Sequence, residues 1–119
     1  MTSAIKPLVH QSFSPLIDAL RYVAATLTAT SPRNKVIVVS DLIENSDVLS
    51  MYNRNWLDRY NENKTSILQQ RPIYPSNTEV EIYLLRRPQY QIQGDEFLKF
   101  WFEMLAGDGT VNIDFTSVS

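Results

Sequence analysis

Four consecutive β-branched residues, Val36-Ile37-Val38-Val39, run directly into Ser40 and Asp41. Every position of the run is apolar, which predicts a strand covered on both faces, as in a parallel sheet held between helix layers. Upstream, Leu16, Leu20, Val23 and Leu27 recur at spacings of three and four with Ala19 and Ala24 beside them. That stripe predicts a helix packed on a sheet. Ser14-Pro15 opens it, because serine can cap free backbone N–H groups and proline at the first helical position loses no hydrogen bond. Asp18 in the first turn complements the helix dipole. The threonines at 26, 28 and 30 weaken its end, and Ser31-Pro32-Arg33-Asn34 reads as a turn.

Beyond Asp41 the chain turns polar, and Leu42 to Tyr52 reads as a loop with a short helix capped at Ser46. Trp56, Leu57, Tyr60, Ile67 and Leu68 then follow helical spacing, until Pro72, Pro75 and Ser76-Asn77 form a turn. Val80 to Leu85 predicts a second strand, with Val80, Ile82 and Leu84 on the better buried face and Glu81, Tyr83 and Leu85 on the other. Arg86-Arg87-Pro88 ends it. Gly94-Asp95 caps a helix from Glu96 to Leu105, whose Phe97, Leu98, Trp101, Met104 and Leu105 meet the core while Phe100 and Phe102 point away. Gly107 and Gly109 stop this helix, and Val111, Ile113 and Phe115 alternate with Asn112 and Asp114 in a final strand. The order of elements fits one α/β domain over residues 1–119: three layers, α/β/α, around a small, mostly parallel sheet of Rossmann-like topology.

Composition narrows the function classes. The 119 residues are 44% apolar and 20% charged, ordinary values for a folded globular domain. A net charge of -2 with mixed signs leaves no broad positive surface for nucleic acid. The absence of cysteine removes disulfides, thiolate metal sites and cysteine nucleophiles together. No apolar run reaches the length of a signal peptide core or a membrane span, so the chain reads as soluble, with its compartment open. His10, the single histidine, has no second histidine near it and reads as a loop residue. The Arg86-Arg87 pair reads as solvated surface.

In open parallel sheets, ligands bind outside the carboxyl ends of the strands, which singles out Asp41. A carboxylate there can bind a hard cation such as Mg²⁺, with the Ser40 hydroxyl supporting it, or can instead cap the amides of the following loop. Phe100 and Phe102, in excess of what the core needs, mark an interface.

The segment Ser14-Pro15-Leu16-Ile17-Asp18-Ala19-Leu20, followed by a short turn and the apolar strand ending in Ser40-Asp41, resembles the later part of a von Willebrand factor A-like domain. The resemblance implies that Ser14 and Asp41 belong to a metal-ion-dependent adhesion site. The family's Asp-x-Ser-x-Ser motif does not occur here, and Leu42 stands where a glycine commonly follows the aspartate. The implied site is therefore incomplete, with weak Mg²⁺ binding at most and no tightly bound cofactor. The implied chain is the C-terminal portion of a larger domain, with Val36 and Val38 on an edge strand. Together with Phe100 and Phe102, that edge would serve a protein partner or self-association, in a non-catalytic interaction module. The alternative is a Rossmann-like metal-dependent enzyme or small-ligand-binding protein using Asp41, with Glu44 and Asp47 as helpers.

Overall fold

Three parallel strands, β1 (Asn34–Ser40), β2 (Thr78–Leu85) and β3 (Asn112–Val118), lie side by side in chain order. The computed structural model describes residues 13–27, 33–75, 77–106 and 112–118. The expectations for His10 and for the stop at Gly107 and Gly109 fall outside these residues. Helix α1 (Leu16–Ala25) precedes β1; α2 (Trp56–Glu62) and α3 (Lys64–Leu68) lie between β1 and β2; and α4 (Asp95–Ala106) joins β2 to β3 after a short 3₁₀ turn at Pro88–Tyr90. This is a small α/β fold on a parallel sheet. Among the described residues, no helix is long and apolar enough to cross a membrane.

Strand register sorts the side chains into two faces. Val36 aligns with Val80 and Ile113, and Val38 with Ile82 and Phe115. These residues belong to one hydrophobic core with Ile17, Leu20 and Ala24 of α1, Trp56 and Tyr60 of α2, and Phe97, Trp101, Met104 and Leu105 of α4. Burying each large side chain of this kind contributes roughly 1.5–3 kcal/mol. Along β2, Thr78, Val80, Ile82 and Leu84 are buried and the residues between them half-buried, as its alternation predicts. The opposite face begins with Lys35, Ile37 and Val39 on β1, aligned with Glu79, Glu81 and Tyr83 on β2.

Here β1 departs from expectation. Ile37 is 59% exposed and Val39 62%, so the described residues cover the strand on one face only. A continuous apolar run shows that both faces can be buried but does not supply the second covering layer. Other corrections are local. The buried stripe of α1 is Ile17, Leu20 and Ala24, while Val23 and Ala19 face outward. The 42–52 segment holds no helix; its turns are tied by isolated bridges, Ser14 to Asn45 and Asn45 to Ser50. Phe100 is buried, not turned outward, because α2 supplies a second packing surface: its ring meets Tyr60 at 4.8 Å and Trp56 at 5.7 Å, both edge to face.

Candidate functional site

The carboxyl ends of β1 and β2 are joined by one side chain. Gln93 is buried, and its Nε2 donates to the carbonyls of Asp41 (2.8 Å) and Leu85 (2.9 Å), while its Oε1 accepts from the Arg87 N–H (2.7 Å). With three bonds to groups leaving two strands, it fixes how those strands end. The Trp101 indole N–H donates to the Leu42 carbonyl at 2.9 Å, holding the turn that follows. Leu42 itself has φ 55°, a left-handed conformation that favours glycine and costs a leucine about 1–2 kcal/mol. Its fully buried side chain offsets that cost.

Asp41 sits at this end with both oxygens engaged. Oδ1 accepts from the Ile43 N–H at 3.0 Å, closing a local turn, and Oδ2 meets Arg87 Nε at 3.3 Å. Ser40 Oγ accepts from the Leu42 N–H at 2.9 Å. Both residues therefore bind the amides of the following loop. Arg86 is held nearby, donating to the Gln93 carbonyl at 3.0 Å. Arg87 thus has a specific partner across the strand ends, although the arginine pair reads from sequence as plain surface.

Ser14 pairs its backbone with Asn45, donating to its carbonyl (2.8 Å) and accepting from its N–H (3.1 Å). The first turn of α1 is seated by Glu44, whose Oε1 accepts from the Ile17 N–H (2.9 Å) and whose Oε2 accepts from Ser46 Oγ (2.5 Å). Glu44 is 1% exposed. Burial pushes its carboxyl above the ordinary range, against the Ser46 and Ile17 bonds, which favour the charged form. Pro15 occupies the cap position without a side-chain bond, so a carboxylate distant in sequence does the work expected of Ser14.

Mg²⁺ requires oxygens free to coordinate it. Asp41 instead faces a guanidinium and an amide, and no group of three or more His, Cys, Asp or Glu gathers among the described residues. Of the supposed helpers, Glu44 is turned under α1 and Asp47 is exposed on the loop. Among the described residues, the oxygen donors around Asp41 do not gather into a set that fits the ion.

The four residues expected at an interface separate. Val36 is buried and Val38 partly so, both on the core face, and Phe100 is enclosed by α2 and α4. Phe102 is 52% exposed and lines an open groove of about 1080 Å³ with Leu57, Tyr60, Lys64, Glu103 and Phe115. Tyr60 donates its hydroxyl to Glu103 Oε1 at 2.6 Å, and Lys64 pairs with Glu103 Oε2 at 3.2 Å. The exposed side chains of β1 are Ile37 and Val39, which lie between the two valines expected to serve an interface. Comparison with protein-family models, with curated proteins and with solved structures finds no match to this chain.

Proposed function

We propose that this chain is a non-catalytic protein–protein interaction module, the C-terminal portion of a von Willebrand factor A-like domain of three-layer, Rossmann-like architecture. The carrying observation is β1: among the described residues it pairs only with β2, and it exposes Ile37 and Val39 on its uncovered face. An apolar edge of this kind is a template for a further strand. The left-handed backbone at Leu42 supports the family reading, since it stands where the family commonly carries glycine. A partner that adds a strand beside β1 and a helix over Ile37 and Val39 completes the third layer.

In this reading the remnant of the adhesion site is closed by Arg87, which neutralises Asp41 from within the chain. Calorimetry with Mg²⁺ or Mn²⁺ is expected to show no tight binding; tight binding abolished by Asp41→Ala would overturn it. The interaction reading is tested with a synthetic apolar strand carrying Asp-x-Ser-x-Ser, titrated into the isotope-labelled chain. Amide shifts concentrated at Lys35 to Asp41 are expected. Absence of any shift up to millimolar peptide would sink the proposal.

A further inference from the structure

On the face of β1 left open among the described residues lie Lys35, Ile37 and Val39, and Asp41 follows directly after the strand ends at Ser40: a cation, two aliphatic side chains and, just past the last strand residue, an anion. The order is self-complementary when reversed. In an antiparallel pair of strands, directly opposite residues share a face. Two copies of β1 paired antiparallel about Val38 set Ile37 against Val39 of the other copy, twice. They also set Lys35 against Asp41, twice. Parallel pairing in register stacks Lys35 on Lys35 and Asp41 on Asp41, and so opposes like charges at both ends.

We infer that β1 pairs antiparallel with β1 of a second copy about a twofold axis at Val38, joining two three-stranded sheets into one. The inference rests on the interaction reading above and names its occupant. Three features of the edge support it. From Val36 to Val39 the strand carries no proline, no glycine and no charge, the devices by which edge strands repel a neighbour. Lys35 and Asp41 are already oriented within the chain, by Glu81 at 3.1 Å and Arg87 at 3.3 Å. Dimer formation therefore extends each pair into a row of alternating charge, Glu81, Lys35, Asp41 and Arg87, across the junction. Finally, a twofold contact closes on itself, so association stops at two copies instead of growing into a fibre. The four aliphatic side chains meet in one patch on the open face, clear of the helices behind the sheet.

The register is testable because the chain has no cysteine of its own. Val38→Cys is expected to form a disulfide-linked dimer under mild oxidation, since opposite residues at a twofold axis lie within disulfide reach. Ile37→Cys or Val39→Cys alone is expected to stay unlinked, because each lies diagonal to its own copy at about 7–8 Å or more. An equimolar mixture of the two is expected to link. Sedimentation of the unmodified chain at high micromolar concentration is expected to show a dimer. Val39→Lys, at an exposed position that leaves the core intact, is expected to yield a folded monomer with unchanged near-ultraviolet ellipticity. A dimer that survives Val39→Lys, or one that links through Ile37→Cys alone, overturns the proposal. A chain that stays monomeric yet binds the synthetic strand overturns the dimer and leaves the interaction reading standing. A chain that does neither overturns both.

Discussion

The carboxylate of Glu44 accepts a hydrogen bond from the backbone N–H of Ile17 at 2.9 Å, tying the first turn of α1 to the loop after β1. Glu44→Ala leaves the buried Ile17 N–H without its acceptor, at a cost of about 1–3 kcal/mol, and takes from the half-buried Ser46 hydroxyl its carboxylate partner. Glu44→Gln keeps an acceptor for Ile17 and removes the buried charge. Because burial raises the folded carboxyl above its unfolded value, the folded state binds this proton more tightly. Its contribution to stability is therefore greatest below the unfolded pKa and declines as pH rises through the raised one. Urea unfolding across mildly acidic to neutral pH is expected to show that decline in the native chain, none of it in Glu44→Gln, and a large loss at every pH in Glu44→Ala.

Phe100 and Phe102 are two residues apart and differ in consequence. Phe100→Ala opens a cavity among Trp56, Tyr60 and Trp101 and is expected to cost about 3–5 kcal/mol. Phe102→Ala removes a half-exposed ring and is expected to cost about 1 kcal/mol or less. Equal losses in denaturant unfolding would mean that α2 does not pack on Phe100 as described.

Among the described residues, the buried hydroxyl of Tyr74 has no hydrogen-bond partner, and burial pushes its pKa up to about 12. Tyr74→Phe keeps the ring and removes the unsatisfied group, so it is expected to stabilise the fold by about 1 kcal/mol. A loss of stability would show that the hydroxyl has a partner.

Much of the fold was legible from local pattern, but the positions of key side chains depended on neighbours distant in sequence. The alternation of β2 foretold its two faces because period two reports directly which side chains share a face. In β1, where all four residues are apolar, no polar position distinguishes the open face, so the pattern predicts cover on both faces and cannot tell Ile37 and Val39 from Val36 and Val38. Phe100 was misplaced because a stripe derived from α4 alone cannot show that α2 closes over its flank. At the strand ends, Asp41 was picked out by topology, and the bonding it makes to the Ile43 amide matches the capping alternative. Its second partner, Arg87, and the stitching residue, Gln93, come from 46 and 52 residues away, beyond any periodic signal. Glu44 carried one sign of burial that sequence does provide, its place directly after Leu42 and Ile43, both of which are buried.

The central claim is that the edge of β1, unpaired among the described residues, is an association surface, and backbone amide exchange across Lys35 to Ser40 tests it most directly. Alternate amides of β1 face away from β2 and exchange rapidly when the edge is open. Their protection is expected to rise with protein concentration, while the amides bonded to β2 stay protected throughout. Outward amides that exchange at the same fast rate from low micromolar to millimolar concentration would contradict the account.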